Sequence, residues 1–111
     1  MQYSATAKYI RVSTRKVRLI AGAIRSMHPT KALIYLASLP HRSAKPMSAV
    51  IKSALANAKN KNIDNERLRF STIEIMGGPM MKRWRSVSRG QAHTYKKRMT
   101  HIRVVLTDEE K

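Results

Sequence analysis

The chain has 111 residues and a hydrophobic content of 42%, which suits one small domain around one core and hardly two. Its 23 Lys plus Arg against 6 Asp plus Glu give a formal net charge of +17 and a pI near 11.2; such a surplus repels itself and points to a polyanion, nucleic acid first of all. The lack of cysteine excludes disulfides and thiolate metal sites, and no stretch approaches the ~18 apolar residues of a membrane span, so the expectation is a cytoplasmic, unexported protein.

In chain order, residues 3 to 12 place Tyr3, Ala5, Ala7 and Tyr9 on alternate positions, the period of a half-buried strand. Ser13 or Thr14 then caps a helix to about Ser26, with Val17, Ile20, Ala21, Ile24 and Met27 as its apolar stripe and Arg15, Arg18 and Arg25 on another side. Pro29 suits the first turn of a shorter helix carrying Ala32, Leu33, Leu36 and Ala37, and Pro40 ends it. A third helix from near Ser43 tolerates Pro46 in its first turn and repeats Met47, Val50, Ile51, Ala54, Leu55 and Ala58 at helical spacing. The crowd of Asn57, Asn60, Asn62, Asp64 and Asn65 predicts its exit and a turn.

From Arg67 to Met76 the pattern becomes a strand in which Leu68 and Phe70 share one parity while Ile73 and Ile75 share the other, so a bulge is expected near Ser71. A last strand, roughly Thr94 to Thr107, turns Ile102, Val104 and Leu106 inward and Arg103 outward. The fold expected is α+β: three helices packed on a small three-stranded antiparallel sheet, with a long protruding β-hairpin. The hairpin occupies 77–97 within a single RNA-binding domain of 1–111. With Arg98 at its return, it carries Lys82, Arg83, Arg85, Arg89, Lys96 and Lys97 and no acid, and nothing in it makes a good core.

A run of cations on one surface is usually a solvated face. Here cations recur on the first helix, the third helix and the hairpin, and no acid precedes Asp64, so phosphate binding explains them better. Trp84, between Arg83 and Arg85, either stacks on a base or sugar or anchors the hairpin stem by packing. Met80 and Met81 serve as adaptable surface contacts or as filler. The four histidines lack metal-ligand spacing, and no nucleophile with its base, carboxylate pair or phosphate-cradling glycine loop appears, so neither an enzyme nor a cofactor is expected. Three other classes compete: a nucleoid or regulatory DNA-binding protein, which lacks a helix-turn-helix, zinc or zipper module here; a peripheral membrane protein, whose first helix would want bulky aromatics; and an RNA-processing enzyme.

Four stretches, in order, carry a resemblance. They are Ser13-Thr-Arg-Lys-Val-Arg-Leu-Ile-Ala-Gly-Ala-Ile-Arg25; Lys52-Ser-Ala-Leu-Ala-Asn-Ala58; Gly78-Pro-Met-Met-Lys-Arg83 followed by Arg89-Gly-Gln-Ala92; and Lys97-Arg-Met-Thr-His-Ile-Arg-Val-Val-Leu106. Together they resemble the ribosomal protein L twenty-two family of the large subunit over nearly the whole chain. The resemblance implies a compact α+β domain on the subunit's outer face and a hairpin reaching along the nascent-peptide exit tunnel, its tip near the macrolide site. It implies early binding during assembly, with large-subunit rRNA, neighbouring large-subunit proteins and the nascent peptide as partners, no membrane and no small-molecule substrate. The location implied is a cytoplasmic ribosome, bacterial or organellar.

The rRNA-binding set expected on both grounds is Arg11, Arg15, Lys16, Arg18, Arg25, Lys52, Asn57 and Lys59 on the globular part. Lys82, Arg83, Trp84, Arg85, Arg89, Lys96, Lys97, Arg98 and His101 complete it on the hairpin and its root. The tunnel-lining residues implied are Met80, Met81, Lys82, Arg83, Arg85, Ser86, Val87, Ser88, Arg89 and Gly90. Ser86, Val87 and Gln91 depart from the Pro-Arg pair and the arginine after glycine of many relatives, which makes this tip less basic; Ser26 likewise replaces a glycine common after the first helix.

Overall fold

Cross-strand rows of apolar residues organise the molecule. The computed structural model describes residues 2–78, 81–86, 90 and 92–108, and of 81–86 and 92–96 it gives the backbone. Strands β1 (Gln2–Ile10), β2 (Arg69–Gly77) and β5 (Thr100–Thr107) form an antiparallel sheet with β5 in the middle. Its register aligns Tyr3, Leu106 and Phe70; then Ala5, Val104 and Ile73; then Ala7, Ile102 and Ile75. The register slips between Phe70 and Thr72, so the bulge lies at Ser71, and it is what lets Phe70 and Ile73 face the same core despite their odd spacing. Burial pushes the Tyr3 phenol above its usual 10, and the Asp108 carboxylate adds to the effect.

Helices α1 (Thr14–Ile24), α2 (Pro29–Ser38) and α3 (Ala44–Asn60) supply the other half of the core. The apolar spacing of α3 buries Met47, Val50, Ile51, Ala54, Leu55 and Ala58 against its neighbours, and α1 buries Val17, Ile20, Ala21 and Ile24. On α2, Ala32 and Leu36 are buried but Ala37 is exposed; a helix of ten residues on the rim of the fold buries one narrow stripe.

Capping departs from expectation at α1, and at α2 it falls to a residue the sequence did not point to. Ser13 stands at the N-cap of α1 but its side chain makes no capping bond. At α2 the cap is His28, whose Nδ1 accepts from the Thr30 amide at 3.3 Å, leaving Nε2 to donate to the Glu66 carbonyl at 3.1 Å. That second bond ties α2 to the short 3-10 turn Asn65–Arg67.

The expected last strand, Thr94 to Thr107, is two strands. β4 (Ala92–Lys97) pairs with β3 (Met81–Ser86) as a separate two-stranded ladder, and the chain breaks at Arg98 and Met99 before β5 begins. Gly78 lies opposite the break: its amide donates to the Met99 carbonyl at 2.9 Å, and a Cβ there would sit 3.1 Å from the His101 ring and 3.3 Å from the Met99 backbone. The two chain segments approach closely at the hairpin root, still in the register that sets Gly77 opposite Thr100, and the ladder resumes beyond it with Met81 opposite Lys97. The molecule spans 62 × 24 × 22 Å with a radius of gyration of 17.1 Å, against roughly 13 Å for a compact chain of this length.

Candidate nucleic-acid interface

On α1, Arg15, Lys16, Arg18 and Arg25 are all exposed, as the spacing requires. Two of them also hold the sheet. Arg18 Nη2 donates to the Ile75 carbonyl at 3.3 Å and Arg25 Nη2 to the Ile73 carbonyl at 3.2 Å, so each guanidinium clips α1 onto β2 and retains donors for another acceptor, since arginine has five N–H groups. On α3, Lys52 and Lys59 are exposed, whereas Asn57 spends its amide on the Ser4 carbonyl of β1 at 2.8 Å.

At the hairpin root, Arg11, Lys97 and Arg98 are exposed and His101 is half-buried. His101 Nδ1 accepts from the Tyr9 amide at 3.1 Å, and the two rings meet edge-to-face with centroids 5.0 Å apart. Tyr9 adopts a left-handed backbone, φ 60, at the point where the β1 register shifts against β5; the amide bond to His101 and the ring contact offset the strain of that conformation. Thr100, fully buried, donates its hydroxyl to the Val12 carbonyl.

Along the hairpin, Lys82 stands opposite Lys96, Arg83 opposite Tyr95, Trp84 opposite Thr94, Arg85 opposite His93 and Met81 opposite Lys97. Like charges directly across a ladder destabilise it, and a lone two-stranded ribbon is marginal in water. Gly90 takes a positive φ of 69, which a glycine adopts without strain. Met80, Val87, Ser88 and Arg89, and the departing Gln91, lie outside the described residues.

Four of the expected residues, Arg11, Lys16, Lys97 and Arg98, converge on one cleft of about 790 Å³ beside the starts of α1 and α3. Sequence reasoning passed over three other residues that line it: His41, Arg42 and Ser43. A signal existed, since His41-Arg42 follows Pro40 directly before a helix start. Tyr9 was read as a strand residue, and nothing in its neighbours announces a left-handed turn. Among the described residues no group of His, Asp and Glu could hold a metal ion, and no helix is long and apolar enough to cross a membrane. The Arg103–Glu74 ion pair, at 3.5 Å between exposed side chains, contributes at most about 1 kcal/mol.

The class these features define is a small basic α+β protein whose cations gather at a cleft, along one helix and over a two-stranded extension. Comparison with known proteins is specific. The family model for ribosomal protein L22p/L17e matches residues 5–107. The large ribosomal subunit protein uL22 of Syntrophus aciditrophicus (strain SB) is 44% identical over 110 residues, covering 98% of this chain and 100% of its own. Its counterpart in Solibacter usitatus (strain Ellin6076) is 39% identical over 112 residues, covering 99% of both chains, and that of Clostridioides difficile (strain 630) is 40% identical over 111 residues. The chain belongs to the ribosomal protein L22p/L17e family, a family of structural proteins and not of enzymes.

Proposed function

We propose that this protein is a structural constituent of the large ribosomal subunit that binds large-subunit rRNA as a single domain, 1–111, and lines the nascent-peptide exit tunnel with the hairpin at 77–97. One observation carries the reading: relatives named as large ribosomal subunit proteins match nearly the whole chain; the +17 charge supports it. Arg15, Lys16, Arg18 and Arg25 with Lys52 and Lys59 meet phosphates on the globular side, releasing condensed counterions. The hairpin gains from RNA in particular, because a polyanion offsets the repulsion between Lys82 and Lys96, which stand directly opposite each other. Trp84 offers a stacking surface to a base or sugar.

Two measurements test it. Affinity for transcribed large-subunit rRNA should fall by roughly 10³ to 10⁵ between 50 and 200 mM salt if some 6–10 phosphates are engaged, and duplex DNA at equal phosphate should compete poorly; a flat salt response or the reverse preference contradicts RNA binding. The chain has no cysteine, so Ser86→Cys introduces one reporter thiol. In ribosomes carrying a stalled nascent chain it should cross-link to that chain, and cross-linking only to external reagents would remove the hairpin from the tunnel.

A further inference from the structure

Among the described residues, one buried serine or threonine hydroxyl is left without a partner. Of the buried polar side chains among the described residues, Ser43, Thr100 and Thr107, Thr100 bonds the Val12 carbonyl and Thr107 also has a partner. Ser43 is 4% exposed, sits at the N-cap of α3 and makes no capping bond. No other hydrogen bond to a described residue is made by its side chain. A buried polar group with no partner calls for an explanation, and Ser43 lines the cationic cleft.

The cleft is built for an anion in other respects. Among the described residues it is bordered by Arg11, Lys16, Arg42, Lys97 and Arg98 and by no acid. The first turns of α1 and α3 both lack an acidic residue, so no carboxylate of the chain's own complements the positive ends of these helices. At α1 the first amide bonded within the helix is that of Val17, to the Ser13 carbonyl at 3.3 Å, and Ser13 withholds its side chain; the amides of Thr14, Arg15 and Lys16 precede the first possible helical acceptor and remain open to a ligand. The free amides at the start of α1, the hydroxyl in reserve at the start of α3 and the flanking guanidinium groups together match the oxygens of a phosphate; the first amide of α3, Ala44, is taken by the His41 carbonyl at 3.1 Å.

We propose that this cleft seats a backbone phosphate of RNA, with the Ser43 hydroxyl and the first amides of α1 donating to it and Arg42 and Arg98 supplying charge. The site joins the hairpin root to the starts of two core helices, so one phosphate fixes the direction in which the hairpin leaves the domain. This rests on the RNA-binding reading above and adds to it a particular seat and residues outside the expected set.

The test uses the full chain and two probes, inorganic phosphate and transcribed large-subunit rRNA. With phosphate, amide resonances of residues 13–16 and 43 should shift saturably, and Ser43→Ala should reduce those shifts. Ser43→Ala should melt no lower than the parent, because the free protein gives that hydroxyl no partner, yet lose about tenfold in RNA affinity, the worth of one hydrogen bond to a charged group. Arg42→Gln should weaken RNA binding more than Lys31→Gln, an exposed cation that does not line the cleft. If Ser43→Ala melts lower and binds RNA as the parent does, the hydroxyl is structural and the seat is refuted while RNA binding stands. Phosphate shifts spread evenly over every cationic surface also refute it. If the parent fails to bind rRNA, the underlying reading and the seat fall together.

Discussion

Asn62 decides how α3 ends. Its amide reaches the Lys59 carbonyl at 2.9 Å, the Ile63 amide reaches the Ala58 carbonyl at 3.2 Å, and its own backbone is left-handed, φ 61. This is the paired-bond helix stop usually built around glycine, with the apolar residue that follows, Ile63, packed against the core. Asparagine tolerates the conformation and a β-branched residue does not. Asn62→Gly should therefore leave urea-determined stability unchanged or slightly higher, whereas Asn62→Val should lower it by about 1–2 kcal/mol; equal effects of both would show that the backbone conformation does not matter. The asparagine-rich stretch was legible as a helix exit, but its members compete for the same role, and only the carbonyl positions set by the helix select Asn62. His28 was illegible as a cap for a similar reason: histidine is not a preferred capping residue, and the Glu66 carbonyl that holds its ring lies 38 residues away.

At the scale of elements, α3 was the most legible because its apolar period persists through 17 residues and Pro46 falls where a missing amide costs nothing. Its small residues carry a consequence. Ala54 and Ala58 are both fully buried on the helix that crosses β1 and β5, so their size sets how closely helix and sheet approach. Ala54→Leu should cost about 1–3 kcal/mol by overpacking, read as a lower urea midpoint at unchanged slope, while Ala56→Leu, at an exposed position of the same helix, should change little. Comparable losses at both positions would contradict the packing assigned here. The Ser71 bulge could be read from parity alone, since Phe70 and Ile73 cannot otherwise share a face. The break at Arg98 and Met99 could not, because Lys97-Arg-Met-Thr100 contains no glycine, proline or asparagine and its closest approach is to Gly78, distant in sequence. Of the expected interface, the exposed cations of α1 and α3 were legible from helical period. The double duty of Arg18 and Arg25 was not, because it depends on which strand lies beside the helix.

At the scale of the whole molecule, the side-chain clips on the sheet acquire a meaning beyond holding it together. Arg18 and Arg25 cover carbonyls of β2, and Asn57 covers one of β1, and these two strands are the outer ones of the sheet. Bare outer strands recruit further strands from other copies of the chain. In this fold each outer strand has carbonyls taken up by the chain's own side chains, two on β2 and one on β1. Arg18→Ala combined with Arg25→Ala should thus give concentration-dependent oligomers in light scattering of the RNA-free protein, with Arg15→Ala, an exposed arginine of the same helix, remaining monodisperse. Were the double variant equally monodisperse, these contacts would be incidental. On the proposed function the same two arginines would have separate tasks: keeping copies of the free chain apart, and, with their remaining donors, holding a polyanion once one is present.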